Sequence, residues 1–268
     1  MKKLIVVLAV AGAALTATSC RQLKARDQLN KGVQSYKNAQ YPEAVEHFKT
    51  AVELDPNFPT ARLYLATAYM SQYIPGADSP ENLQMAQAAH DQFQKVLDQD
   101  PKNEVAIASI ASLFFNQKKL DEAKQWYERL ISVNPQNKEA YYTLGVIAWT
   151  KTFQPRMEAR AKMGMKPEDP GPLKDKKVRD ELRAKNLPIV EDGIKDLEKA
   201  LQIDPEYDDA MAYVNLLYRE KADLEENAED YKKDTDMADS FVQKALQTKK
   251  IKAERKPAGG GITTEGEK

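Results

Sequence analysis

Two histidines, one cysteine and a few acidic pairs are the residues of this 268-residue sequence whose chemistry could serve catalysis or metal binding. Their spacing argues against both. His47 and His90 each stand without a neighbouring cysteine, a paired histidine or a His-Glu-x-x-His spacing, so nothing nearby completes a tetrahedral metal site. Cys20 is the single cysteine and can form no intrachain disulfide. Glu225-Glu226 and Asp208-Asp209 read as helix-terminal charge or solvated face, and Gly259-Gly260-Gly261 belongs to KPAGGGITTEGEK, a polar stretch with the composition of a disordered tail. Nucleophile elbow, Walker loop and dinucleotide fingerprint are all missing from the sequence. The expectation is a chain without catalytic residues, metal or cofactor.

Composition bounds the partner. With 40 Lys and Arg against 41 Asp and Glu, the formal charge is -1, which provides no bulk attraction to nucleic acid. A 42% apolar and 30% charged composition with a mean hydropathy of -0.65 suits a helix-rich chain whose core is thinly shared.

The N-terminus, MKKLIVVLAVAGAALTATSC, places two lysines before an apolar run from Leu4 to Leu15 that is short for a spanning helix of about 20 residues. This is the layout of a secretory signal over residues 1–19. Ala17-Thr18-Ser19-Cys20 resembles the lipobox of bacterial lipoproteins, although Ala17 stands where leucine is usual. The resemblance implies cleavage before Cys20, lipidation of its thiol and a lipid-anchored address in the bacterial cell envelope, facing the periplasm. Ordinary secretion through Ala17-x-Ser19, or an uncleaved apolar anchor, are the alternatives.

Beyond the anchor, one pattern recurs. YPEAVEHFKTAVELDP (41–56), LDEAKQWYERLISVNP (120–135), IVEDGIKDLEKALQIDP (189–205) and a looser copy ending AHDQFQKVLDQDP (89–101) are amphipathic helices stopped by proline. A second apolar-periodic segment precedes each. These residues resemble tetratricopeptide repeats, helix-turn-helix units of 34 residues. Gly32, Ala66, Ala111 and Gly145 match the small position of the first helix, and Ala44, Ala89, Ala123 and Gly193 that of the second. Phe48, Phe93, Tyr127 and Leu197 match the bulky position, and Pro56, Pro101, Pro135 and Pro205 the closing proline. The resemblance implies an all-α, right-handed superhelical solenoid over 20–250, of about five units near 25–58, 59–103, 104–137, 138–207 and 208–250, followed by a disordered tail at 251–268. The fifth unit is the weakest, because Asn215 occupies a small-residue position.

The spacing of the closing prolines locates the irregularities. Pro56 to Pro101 spans eleven residues more than one 34-residue period, which puts an insertion at SQYIPGADSPEN, and about as many extra residues fall near ENAEDYKKDTD. Pro135 to Pro205 runs 36 residues over a period, enough for a helical insertion at 150–188 in the fourth unit, or for a degenerate pair of repeats. Pro155, Pro172 and Pro188 each suit the first turn of a new helix, with breaks at Gly164 and Gly171, which predicts short helices near 155–163 and 172–186. That segment holds 11 Lys and Arg against 6 Asp and Glu, and Lys174, Lys176 and Lys177 are its candidate basic surface.

In the resembling family the first helices line a binding groove. Carried over position by position, its lining would be Leu29, Val33 and Tyr36; Leu63, Thr67 and Met70; Ala108, Ser112 and Phe115; and Tyr142, Val146 and Trp149. Such an apolar and aromatic stripe suits a peptide or partner helix, unless insertions or the tail cover it and make it ordinary core. The functional expectation is a membrane-tethered scaffold for protein–protein interaction that is not an enzyme. The alternative is an accessory factor of cell-wall or outer-membrane assembly with a glycan-binding or catalytic site in the insertion.

Overall fold

A computed structural model of the chain describes residues 2–166 and 169–255, with side chains from Ser19 onward. Among the described residues every regular element is an α-helix: α1 (Lys2–Lys37), α2 (Tyr41–Leu54), α3 (Pro59–Gln72), α4 (Pro80–Gln99), α5 (Glu104–Asn116), α6 (Leu120–Val133), α7 (Lys138–Lys162), α8 (Lys176–Ile203), α9 (Asp208–Asp223) and α10 (Ala228–Arg255). Helices pair as hairpins α1 with α2, α3 with α4, α5 with α6, α7 with α8 and α9 with α10. The chain divides into two compact units, Met1–Val133 and Asn134–Lys268. The first residues of the stretch expected as a tail are helical, since α10 runs to Arg255, and the rest of that stretch lies outside the described residues.

Each closing proline sits in the same turn. A residue before proline is pushed out of helical geometry, and Asp55, Asp100 and Asp204 accordingly sit at φ of -138°, -132° and -131° as the C-caps of α2, α4 and α8. Their side chains, and that of Asn134, then accept from the backbone N–H two residues on, at Asn57, Lys102, Glu206 and Gln136 respectively. A backbone bond of 3.1 Å spans three residues in every copy and delivers the chain to the next first helix. Asn103 and Asn137 cap α5 and α7 by accepting from the N–H three residues on.

Within hairpins the small residues do what their volume dictates. Ala44, Ala66, Ala89, Ala111 and Ala123 are fully buried, and so are Phe48, Phe93 and Leu197. A Cβ placed on Gly32 would lie 2.5 Å from the Phe48 ring, and one on Gly145 would lie 2.3 Å from Cγ of Leu197. In the second unit Leu197 and Val190 join Val214 and Leu217 in one core that ties α8 to α9.

The segment 150–188 departs from its expected form. Pro155 and Pro188 do not open new helices; they lie inside α7 and α8, which run on as helices of 25 and 28 residues joined by the loop 163–175. A proline inside a helix forfeits one backbone bond and crowds the preceding turn, at about 3 kcal/mol. Packing offsets that here. Ala159, Met165 and Leu173 are buried with Leu224 from the end of α9, and Val178, Leu182 and Leu187 pack on the same cluster. Gly164 and Gly171 do mark the breaks, with φ of +65° and +96°. The extra residues near 225–235 likewise extend α10 at its start.

A buried ion cluster fastens this extension to α9. Arg160, 2% exposed, donates from Nη1 to both carboxylate oxygens of Asp223 at 2.7 and 2.9 Å, and from Nε and Nη2 to the carbonyls of Lys166 and Asp169. Arg156 donates from Nη1 to Asp223 at 3.1 Å, while its Nε lies 2.9 Å from Oε1 of Glu220, too misaligned for a hydrogen bond. Arg183 reaches Leu224 O and Glu225. The basic surplus of the insertion is therefore partly consumed by acids of the neighbouring hairpin. Sequence counting could not see this, because the partners lie 41 to 67 residues away.

Two outcomes follow from this cluster. Arg160→Ala leaves a buried carboxylate short of its main partner and should lower the unfolding free energy in urea by about 3–5 kcal/mol. Glu220 is 1% exposed; burial, opposed by Arg156 and reinforced by Asp223, pushes its carboxyl from 4.5 to about 7. The folded protein then holds a proton that the unfolded chain releases near 4.5, so this group's contribution is complete below 4.5 and lost as pH rises to about 7. The Glu220→Gln variant should lose less stability than the wild type between pH 5 and pH 8, by up to about 3 kcal/mol in paired urea titrations.

Candidate functional site

The stripe predicted on the first helices exists in each unit as a half-buried face. In the first unit Leu29, Val33 and Tyr36 on α1, Leu63, Thr67 and Met70 on α3, and Ala108, Ser112 and Phe115 on α5 are all intermediate in exposure. They alternate with fully buried neighbours such as Leu65, Ala66, Ile107 and Ala111, which point into the hairpin cores. Leu29, Val33 and Tyr36 lie against Phe48 and Leu65, and the Tyr36 hydroxyl is 2.8 Å from Ser71 Oγ, tying α1 to α3. Thr67 donates its hydroxyl to Leu63 O, which removes it as a free polar group.

In the second unit the stripe gathers aromatic rings. Tyr142 and Trp149 are half-buried, whereas Val146, expected to line the groove, is 9% exposed and belongs to the core. The reason is its place on α7 next to Gly145, against which Leu197 of α8 packs directly. The ring of Tyr213 from α9 stands edge-on to both aromatics, 5.5 Å from Tyr142 at 82° and 5.7 Å from Trp149 at 81°. Phe153 lies 4.8 Å beyond Trp149, and Tyr207 lies 5.1 Å from Tyr142. These are favourable quadrupolar arrangements.

Tyr207, Tyr213 and Phe153 were not legible as site residues. Tyr213 lies in the weak fifth unit beside a stripe position, Phe153 in the insertion, and Tyr207 in the turn after a closing proline. The density of tyrosine in EYDDAMAY was the available signal.

Electrostatically this face is neutral with a charged edge. Burial raises the Tyr142 phenol far above its ordinary value, with Tyr213 and Asp209 adding to the effect. Burial first, then Glu139 and Asp209, pushes Tyr207 up to about 12. Both remain phenols near neutral pH and present flat apolar rings with one hydrogen-bonding tip. At the edge, Lys138 stands 5.0 Å over the Tyr207 ring and donates to Asp204 at 2.6 Å. Arg156 lies 5.8 Å over Phe153, which joins the aromatic row to the buried ion cluster.

The remaining predicted residues lie apart from these faces. Lys174, Lys176 and Lys177 are exposed on the loop and first turn of α8, and Lys176 pairs with Asp180 at 2.7 Å. Cys20 is exposed on α1. His47 bonds to Gln28 through Nδ1 at 2.8 Å, and His90 packs edge-on against Phe114 at 5.6 Å. Among the described residues no group of three or more His, Cys, Asp or Glu could hold a metal ion, and no helix is long and apolar enough to cross a membrane.

Comparison with known proteins fits this geometry. Residues 35–72 and 84–145 match family profiles of the tetratricopeptide repeat, and residues 181–255 match that of the plant-specific mitochondrial import receptor subunit TOM20. No curated protein matches the sequence. Among solved structures the chain is similar to the MamA protein, at 19% identity over 88% of this chain and 97% of that one, with a TM-score of 0.58. It is similar to MamA from residue 41 onward of Desulfovibrio magneticus RS-1, at 18% identity over 85% and 96%, with a TM-score of 0.57. YrrB, described as a TPR protein with an unusual peptide-binding site, is 15% identical over 83% and 90%, with a TM-score of 0.51. The chain carries tetratricopeptide repeats and has their fold.

Because Tyr213 bridges two edge-on pairs, Tyr213→Ala should destabilise the second unit by about 1–3 kcal/mol, at roughly 0.5–1.5 kcal/mol per aromatic pair. Urea unfolding followed by Trp149 fluorescence in a Trp126→Phe background measures it. A change near zero would mean that the rings do not hold one another.

Proposed function

We propose that the protein is a lipid-tethered scaffold of the bacterial cell envelope, facing the periplasm, that binds a peptide or helix of a protein partner and catalyses no reaction. The row Tyr142, Tyr213, Trp149 and Phe153 carries this reading. Its rings are already held by one another, so a docking segment gains contact area against side chains that lose little further entropy. The likeness to YrrB, a repeat protein with a peptide-binding site, supports a peptide or protein partner. The half-buried stripes of α1, α3 and α5 offer the first unit a comparable face. A site in the insertion finds less support, because Arg156, Arg160 and Arg183 are engaged with Glu220, Asp223 and Glu225.

The tether rests on the residues around Cys20. Each acyl CH₂ buried in a bilayer contributes about 0.8 kcal/mol, and stable anchoring takes more than one chain, so a processed, acylated Cys20 would hold the protein to a membrane. Arg21, Lys24 and Arg26 are exposed on the following turns of α1 and would lie near the headgroups.

Cell fractionation and crosslinking test the two halves. The wild type should stay with membranes in high salt while Cys20→Ser is lost from them; a membrane-bound mature Cys20→Ser protein would sink the anchor. A photoreactive residue at Trp149 or Thr67 should capture a protein in intact cells, whereas one at the exposed Lys195 should not. Equal capture from Lys195 would mean that the stripe is not the contact surface.

A further inference from the structure

The insertion between α3 and α4 has no part in the groove, yet its conformation is tightly specified. Asn82, 7% exposed, accepts from the Ile74 N–H at 2.7 Å and donates to the carbonyls of Ile74 and Ala77 at 2.8 and 2.7 Å. Ser79 caps α4 by accepting from the Asn82 N–H, and Gly76 supplies the positive φ of +82° that the turn requires. Tyr73 is buried beneath it. A loop fixed by three bonds to one buried amide has few alternative arrangements in which to hide apolar groups.

It nevertheless holds Ile74 at 64% exposure, and Leu83, on the first turn of α4, is 49% exposed. The insertion of the second unit behaves otherwise, since Met165 and Leu173 are buried under their own hairpin. Facing Leu83 across a cleft of about 410 Å³ is the end of α5 with the turn that follows it. That volume falls within the ~300–1,000 Å³ of pockets that enclose small ligands. Tyr73, Leu83 and Phe115 give the cleft its large apolar lining, and the exposed Lys118 and Lys119, the latter 5.7 Å over the Phe114 ring, line it with a single acid, Asp78. Lys118 is held there in left-handed backbone geometry at φ 61°, closing α5 through an N–H bond to Phe115 O.

We infer that this cleft is a second docking site in the first unit, for an extended segment of a protein partner that places a leucine- or phenylalanine-sized side chain beside one or two acidic residues. The apolar side chain lies against Leu83, Phe115 and Tyr73, and Ile74 stands exposed on the same loop. The lysine pair meets the carboxylates. The occupant is acidic because the lining carries two cations and one anion, and extended because the cleft is open at the surface between two turns. The cleft shares Phe115 with the α5 stripe of the first unit and stands apart from the aromatic face of the second.

The test is selection of displayed random hexapeptides on the full-length chain, with parallel selection on Ile74→Ser/Leu83→Ser. Both positions are exposed, so the double variant should keep its helical circular dichroism and melting temperature. Peptides enriched on the wild type should carry a large apolar residue next to Asp or Glu. Their affinity should fall about tenfold or more on the double variant, the factor expected when a buried aliphatic contact is lost. Lys118→Glu/Lys119→Glu should weaken them as well, and the remaining dependence on salt should shrink. Basic peptides, or peptides that bind the double variant as well as the wild type, would overturn the inference. Peptides lost on Trp149→Ala but kept on Ile74→Ser/Leu83→Ser would overturn it too, while leaving the groove reading intact. Self-association of the wild type abolished in the double variant would replace the peptide by a second copy of the chain and overturn the proposed occupant.

Discussion

In the second unit Leu197 of α8 packs directly on Gly145 of α7, and much of that unit depends on this contact. No side chain fits between them, since a Cβ on Gly145 would overlap Cγ and both Cδ carbons of Leu197 at 2.3 to 2.8 Å. Gly193 repeats the arrangement from the other helix, where a Cβ would meet Ala148 at 2.5 Å and Leu217 at 2.8 Å. The fourth hairpin thus has glycine at the crossing in both helices. That close crossing sets the course along which α7 and α8 run past the normal length of a repeat. Their prolongation then brings Ala159, Arg160, Val178 and Leu182 against the end of α9.

The two insertions end differently because of what the chain offers them. The long one finds a neighbour: Leu224 completes its apolar cluster, and Asp223 and Glu220 receive its arginines. Its buried charges are tolerable because Arg160 has a partner for each of its donor groups, while Glu220, less well partnered, yields by holding its proton. The short insertion at 71–82 is satisfied in its backbone by Asn82 but not in its apolar side chains. Buried polar groups are costly enough that a loop satisfies them first, whereas an exposed isoleucine is cheap to leave uncovered.

On the face of α7 and α9 the aromatic residues pack against one another and against the core while staying partly open. Trp149 and Tyr142 pack against the core around Val190 and Val214, yet remain half-buried. The stripe residues differ in burial for physical reasons. A wide ring can lie on the core with one face and on solvent with the other, whereas Val146 on the same helix is small enough to be enclosed.

The sequence by itself determined the helical hairpins and their ends. An apolar period of 3.6, a small residue at each crossing and an Asp-Pro or Asn-Pro stop are local signals, and the resulting turns at Asp55, Asp100, Asn134 and Asp204 are nearly identical. It placed the helix crossings in view at Gly32, Ala66 and Ala111 because steric fit at a crossing leaves few residue types possible. Pro155 and Pro188 misled for the converse reason: a proline's local preference for a first turn is worth a few kcal/mol, and the burial of Leu173, Met165 and Leu224 outweighs it. Only the tertiary structure decided that Tyr213 stands between Tyr142 and Trp149, that the insertion's arginines are spent on Glu220 and Asp223, and that Ile74 stays exposed on a rigid loop. Each of these joins residues far apart in the chain, and such pairings depend on the distances between packed helices, which no local pattern encodes.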